Sequence, residues 1–413
     1  MEYRYALERN LHIYEWYLPL SRVYFFTPIY FLFFSSRFSI GQVLVLGSIY
    51  YFTVVLVELP SGYLSDRLGR AVALRLSAAS LSVSYVLFLV GGESFPTFVV
   101  AQIALGVGYA SISGTDTALH FDTLVRLGRE AEFAEREQRL IRNGYAAGAL
   151  GALLAGAVAQ QELEYAYALG LAAALVLLAL AFVMREPRSA RADFSGRGLL
   201  GQLVDCTRTL RDRELAWLFA YAVVMVSLAH IPSEFAQPYL AAVLGDDIRD
   251  VQRTPWVAGV VVASNTLLAA FAAAYSLALR ERLGARGALL AAAVVQLGLI
   301  GAMAQGILAI VAVLLVLRSC QSAIARVILN AEVTPRLDAS LRASFLSLES
   351  LAGRLGYGLL LLWLSGLAGP DSVGDAAVIL DMLRACAGVA AVGLLGLIVT
   401  RRAMKGSSDV PSA

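Results

Sequence analysis

Charged and titratable side chains inside apolar stretches are the residues of this chain best placed to do chemistry. Arg22, His230 and Arg318 each lie within an apolar run long enough to enter a bilayer, at similar estimated depth. A guanidinium held there is expensive to leave without a counter-charge, and a planar bidentate donor suits a carboxylate or phosphate. The acids Glu58, Asp116, Glu332 and Glu349 fall nearer one end of their segments, and only Glu234, one turn beyond His230, approaches the arginines. The middle of the membrane is therefore read as carrying more positive than negative side chains, which favours a solute with an anionic group. The alternative is that Arg22 and Arg318 pair with Glu234, Asp116 or backbone carbonyls and brace the fold. Arg354 is expected to pair with Glu349. Gln102 and Asn265 are further candidate hydrogen-bonders to substrate. Glu58, Asp116, His120 and Glu234 are the candidates for proton coupling, because exchange needs groups that gain and lose a proton within the membrane. Asp116 and His120, four residues apart, share a helix face. His12, His120 and His230 occupy three different segments, and no cluster has metal-ligand spacing, so no metal or cofactor is expected and an enzyme is a remote alternative.

Helices that cross a bilayer must position these groups. Of the 413 residues, 59% are hydrophobic and only 15% charged, and mean hydropathy is +0.70. A soluble domain carries about a quarter charged residues, so the expected class is an all-α polytopic membrane protein. Twelve segments reach spanning length: 13–34, 41–61, 72–91, 95–119, 141–159, 165–184, 215–240, 256–279, 287–304, 307–329, 344–367 and 378–400. The longest polar connection, Arg185 to Arg213, divides them six and six. The expected domains are a six-helix bundle over 1–184, a linker over 185–213 and a second six-helix bundle over 214–413. Within the linker, Leu199 to Leu210 reads as a candidate surface helix. Arginines collect in alternate loops while the opposite loops hold mainly Glu93, Glu162, Glu164, Asp246, Asp247 and Asp250. The positive-inside rule then puts both termini and the linker in the cytoplasm. A net charge of +2 gives no reason to expect nucleic acid. Cys206, Cys320 and Cys386 have no paired spacing and are read as free thiols. Met1 to Asn10 is polar, without a cleavable signal.

Between the second and third spans the chain reads Gly62-Tyr63-Leu64-Ser65-Asp66-Arg67-Leu68-Gly69-Arg70. Charge of that density marks a tight turn at a membrane face, with Gly62 and Gly69 giving it room. Leu279-Arg280-Glu281-Arg282-Leu283-Gly284-Ala285-Arg286, after the eighth span, is a worn copy. Two copies in register support two six-helix halves related by a parallel repeat, with the substrate site expected where the halves meet.

The pattern G-x-L-S-D-R-x-G-R after a second span resembles the loop signature of the major facilitator superfamily. Glu58-Leu59-Pro60-Ser61-Gly62, Ser113-Gly114-Thr115-Asp116 leading to Asp122, and Ile231 to Tyr239 resemble its bacterial drug-exporter-like branch. Three positions depart from that branch. Ala71 stands where a further basic residue is usual, Gln102 stands where proton-coupled exporters carry an arginine, and the fifth span has Gly144, Gly148, Gly151 and Gly156 but no proline. The resemblance implies a proton-coupled secondary transporter working by alternating access, with Asp66, Arg67, Gly69 and Arg70 in a gate. It implies a small-molecule substrate, a proton gradient as partner, efflux by antiport, and a monomer in a bacterial inner membrane. Uptake or exchange of an organic anion, and multidrug antiport, are the alternatives.

Overall fold

The computed structural model describes residues 2–187, 206–247, 251–337, 339–369 and 376–408. Most of the candidate surface helix over Leu199 to Leu210 lies outside the described residues, as does the side chain of Asp66. Ten helices among the described residues are long and apolar enough to cross a membrane. The two remaining expected spans are also helical but more polar. Span one carries Glu8, Arg9 and Glu15, and span five, Phe133–Ala159, begins with Arg136, Arg139 and Arg142.

Three spans expected to be continuous are broken. Span one is a helix over Glu2–Ser21, a non-helical stretch over 22–29, and a short helix over Tyr30–Ser35. Two prolines explain the interruption. Pro19 removes one ladder hydrogen bond inside the first helix, and Pro28 turns the residue before it away from helical geometry. Span four is split into Phe95–Ile112 and Thr115–Leu127 by Ser113 and Gly114, the latter at φ 74°. Span ten runs as Ala309–Leu314, a tight turn over Leu315–Leu317, and Cys320–Val333, with Arg318 and Ser319 at the break. Arg22 and Arg318 therefore occupy helix breaks and not the middle of straight helices.

The charged motif is also less of a loop than its composition suggests. Span two is helical through Ile40–Leu68 and span three through Arg70–Val90, leaving Gly69 alone to make the turn at φ 106°, ψ 143°. Its counterpart Gly284 sits between Ser276–Leu283 and Ala285–Gln305 at φ 69°, ψ 158°. The repeat read from sequence thus has the same backbone bend in both copies.

The chain forms two compact units. The first comprises Met1–Asp193, Leu244–Leu267 and Leu361–Gly374, and the second Phe194–Val243, Leu268–Leu360 and Asp375–Ala413. Lipid tails are as apolar as leucine, so association of helices in a bilayer rests on close contact and hydrogen bonds and less on the hydrophobic effect. In the first unit span five supplies that contact. A Cβ on Gly144 would meet Arg22 at 3.1 Å, one on Gly148 would meet the Arg22 carbonyl at 3.3 Å, and one on Gly151 would strike Val23. The glycine face of span five receives the unwound part of span one. Farther along, Gly156 opposes Gly259 of span eight. The short helix Tyr30–Ser35 is held by aromatic packing, with Phe33 stacked on Tyr167 at 4.0 Å and Phe34 tilted against Phe88 at 5.5 Å. In the second unit, buried side chains bond to backbone across helices. The Trp217 indole donates to Leu397 O at 2.9 Å, Tyr221 to Leu289 O at 2.7 Å, and Gln296 to Leu228 O at 3.1 Å.

Candidate substrate and proton sites

Each unit contains a cavity beside a helix break. That of the first unit, about 460 Å³, is lined by Arg22, Tyr24, Tyr145, Val262 and Thr266 together with the glycines of span five. Unwinding of residues 22–29 sets Arg22 where its alkyl stem lies on Gly144 and its guanidinium reaches span four. There it meets Asp116, Nη2 to Oδ2, at 3.4 Å. Asp116 is 2% exposed, whereas the Arg22 side chain is 47% exposed. The pair thus joins a sealed carboxylate to a cation that also faces open volume. This corrects the expectation of uncompensated positive charge at Arg22. Sequence depth had been counted along straight helices, and the breaks in spans one and four bring together residues that such counting separates.

Asp116 lies in the first turn after Gly114, where the helix end favours negative charge, and its Oδ1 accepts the Thr117 backbone N–H at 2.8 Å. His120 is one turn on. Its Nδ1 lies 3.0 Å from Glu137 Oε2, and Thr117 Oγ1 donates to Glu137 Oε1 at 3.1 Å. Tyr14 stacks on the His120 ring at 4.2 Å. The Tyr17 hydroxyl and His120 Nε2 are buried with no hydrogen-bond partner among the described residues. Asp116 and His120 therefore do share a polar cluster, joined through Glu137 and Thr117. Glu137 precedes the expected fifth span, 141–159, and nothing in the sequence marks its helix as starting at Phe133.

In the second unit a cavity of about 450 Å³ is lined by His230, Ser319, Arg326, Glu349, Ser350 and Arg354, among others. Arg318 is not in that lining. It is 4% exposed, donating from Nη1 to Leu315 O at 3.1 Å and from Nε to Ser233 Oγ at 3.3 Å. Its guanidinium thus lies against protein oxygens beside the break in span ten, sharing the Leu315 carbonyl with its own backbone N–H, and does not face the cavity as expected. Arg326, two turns further along, is the exposed cation of this helix and was missed in sequence because its register around the helix depends on where the break falls. His230 lines the cavity, its Nδ1 2.6 Å from Val226 O and its ring 4.9 Å from Tyr357. Glu234 is 5% exposed and accepts from the Tyr357 hydroxyl at 3.3 Å. The expected Arg354–Glu349 pair is not formed among the described residues, and Glu349 Oε2 is buried without a hydrogen-bond partner. Gln102 and Asn265 are 5% and 7% exposed and line neither cavity. Glu58 accepts from Ser113 Oγ at 3.5 Å.

The arginine-rich ends carry ion pairs of parallel design. Arg70 pairs with Asp122 at 2.5 Å and donates to Ala118 O. The backbone N–H groups of Arg70 and Ala71 donate to the Glu186 carboxylate at 3.0 and 2.7 Å, which caps span three. Ala71 is buried in this contact, 1% exposed, where a long basic side chain has no room. In the second unit Arg280 donates to Glu332 at 2.8 and 2.5 Å, Arg336 bridges Glu332 and Glu214, and Arg286 pairs with Glu214. Arg67 is exposed. In the connection between spans four and five, Arg129 and Arg136 donate to Glu132 at 2.6–2.8 Å and hold its carboxyl down at about 2. At the other end of the first unit, burial would raise the Asp246 carboxyl, but hydrogen bonds from Thr254 and the Arg253 N–H outweigh it and lower it.

No protein-family model matches the chain, and no curated protein matches it in sequence. Solved structures do match in fold. An alanine variant of the nucleoside transporter NupG superposes with TM-score 0.78 at 12% identity, covering 95% of this chain and 99% of that one. A bacterial homolog of the human lysosomal transporter Spinster, inward-facing and unoccupied, gives 0.69 at 15% identity over 96% of each chain. A D-xylose-proton symporter gives 0.66 at 15% identity, covering 96% and 97%. These similarities establish the architecture: the chain has the twelve-helix fold of major facilitator transporters.

Proposed function

We propose that this protein is a proton-coupled secondary transporter for a small organic solute bearing an anionic group. The observation that carries the reading is the Arg22–Asp116 pair, whose cation is half exposed to a cavity while its anion is sealed. An incoming carboxylate or phosphate competes for the guanidinium. Asp116, deprived of its partner in a low-dielectric site, is then relieved by a proton. Anion and proton binding favour each other, and such linkage is reciprocal. His120 and Glu137 offer a route by which that proton reaches Asp116 from the arginine-rich end. Broken helices at a binding site are a recurrent device in transporters, where freed backbone groups contact solute or ion. The similarity to nucleoside, sugar and Spinster-type carriers supports transport as the use of this fold. Asp66, Gly69 and Arg70 act in closing the arginine-rich end, which faces the cytoplasm of a bacterial inner membrane, and the chain works as a monomer.

Reconstitution in proteoliposomes tests the reading. Uptake of an organic anion is expected to be driven by an inward proton gradient and lost in Arg22→Ala and Asp116→Asn. Flux of lipophilic cations that survives both substitutions would establish the alternative, multidrug efflux by proton antiport, which the drug-exporter-like motifs suggest.

A further inference from the structure

The cavity of the second unit holds an arrangement that the Arg22–Asp116 pair does not explain. Arg326 from span ten and Arg354 from span eleven both line it, and so does Glu349, five residues before Arg354 on the same helix. Opposite charges sharing one small cavity ordinarily close into an ion pair. Here Arg326 makes no hydrogen bond or ion pair among the described residues, and Glu349 Oε2 is shut off from water with no partner. Glu349 is the only carboxylate in that condition among the described residues. An ionised carboxylate left this way is unfavourable by several kcal/mol, whereas a protonated one is a neutral polar group. Apart from those three, the cavity's titratable lining is His230, whose Nδ1 is taken up by Val226 O.

We propose that this cavity is a proton-dependent anion site. Arg326, with Arg354 beside it in the lining, holds a carboxylate or phosphate while Glu349 carries a proton, and Glu349 reclaims the Arg326 guanidinium when it ionises. Serine hydroxyls of Ser319 and Ser350 complete a polar wall for the oxygens of such a ligand. One proton is taken from solution per anion bound, and no covalent bond changes. The sign is that of symport, with anion and proton held together, and is opposite to the antiport that the drug-exporter-like motifs imply. The proposal rests on the transport reading for its purpose, but its test does not require flux.

Titration calorimetry on the full chain in detergent, in two buffers of different protonation enthalpy, gives affinity and proton uptake together. The probes are benzoate, succinate and inorganic phosphate, with choline as the cation control. The three anions separate a monocarboxylate, a dicarboxylate and a phosphate as the preferred group. Wild-type protein should bind at least one anion with uptake of a proton, and affinity should fall at least about tenfold from mildly acidic to mildly alkaline pH, the scale of one lost charge-assisted hydrogen bond. Glu349→Gln, a mimic of the protonated acid, should bind the anion equally at both pH values and without proton uptake. Arg326→Gln and Arg354→Gln should lose binding at both. The proposal is overturned if no probe anion binds, if choline binds as well, or if wild-type binding releases or leaves protons unmoved. It is overturned equally if pH dependence persists in Glu349→Gln and vanishes in His230→Gln. The wild-type proton count stands even where a variant fails to fold. Loss of flux with this binding intact would overturn the transport reading and leave the site in place.

Discussion

The two units solve one electrostatic problem in opposite ways. In the first, the cavity arginine reaches across a helix break to a sealed aspartate, and the charges close on each other. In the second, the arginine at the break turns inward to backbone oxygen, and the cavity lining holds the exposed Arg326 beside a carboxylate oxygen, Glu349 Oε2, with no hydrogen-bond partner among the described residues. A low-dielectric interior tolerates charge only when it is paired or neutralised, so one unit uses an ion pair and the other is expected to use a proton. Sequence similarity between halves therefore does not carry over to the charge state of their sites.

Substitutions test this contrast. The largest effect is expected at Arg22. Arg22→Ala strands Asp116 and should destabilise the chain by about 2 kcal/mol, less than a fully buried pair because Arg22 is half exposed to solvent. Arg326→Ala, which removes no hydrogen bond or ion pair among the described residues, should shift stability by less than about 0.5 kcal/mol. Denaturant unfolding in detergent measures both, and equal losses would erase the distinction between the units. Asp116→Ala in the Arg22→Ala background should restore part of the loss.

Next come the two turn glycines. A Cβ on Gly69 meets the Glu186 carboxyl at 3.0 Å, while a Cβ on Gly284 meets nothing within 4 Å. Both have positive φ, so each alanine substitution is expected to cost about 1 kcal/mol from backbone strain. Gly69→Ala should cost more, because it also displaces the cap of span three. Glu186→Gln alone weakens that cap by about 1 kcal/mol, and slower unfolding of Gly69→Ala than of Gly284→Ala would contradict the geometry. The smallest effect is at Glu132. Its carboxyl is held down at about 2 in the folded chain, so its contribution is present above the ordinary carboxylate range and is lost as pH falls toward 2. Its ion pairs lie in a solvated connection and are worth little, so Glu132→Gln should lower the unfolding midpoint only slightly at neutral pH and not at all at acid pH.

Much of the fold was legible in the residues. Apolar length located all twelve segments, and the bend at Gly69 and Gly284 followed from the charged repeat. The glycines of span five announced a close approach, although not that its partner would be the unwound part of span one. Sites were harder to read, for one physical reason. Depth along a span assumes a straight helix, so the Arg22–Asp116 pair, 94 residues apart in sequence, stands only as the alternative on that reading. Pro19 and Pro28 flank Arg22 and were the available warning. Glu137 and Glu186 fall in charged connections between the expected spans, where composition gives no clue to where a helix begins. The ion pairs of the arginine-rich ends show what repetition preserves. Arg70–Asp122 and Arg280–Glu332 each join residues 52 apart, yet Arg70 follows its turn glycine and Arg280 precedes its own. The contact was kept while the side chain that makes it moved to the other side of the bend.

The non-helical stretch over residues 22–29 has a consequence for cooperativity. Its amides are held by single turn bonds, Arg22 to Pro19, Val23 to Leu20, Thr27 to Tyr24 and Ile29 to Phe26, at 2.9–3.2 Å. A helix amide exchanges with solvent only when several ladder bonds open in concert, whereas each of these opens alone. Hydrogen exchange should therefore be faster in this stretch of span one than in the unbroken helix of span five packed on it. The least cooperative backbone in the first unit coincides with its most consequential charge, so Arg22 can change partners without unfolding the helices on either side.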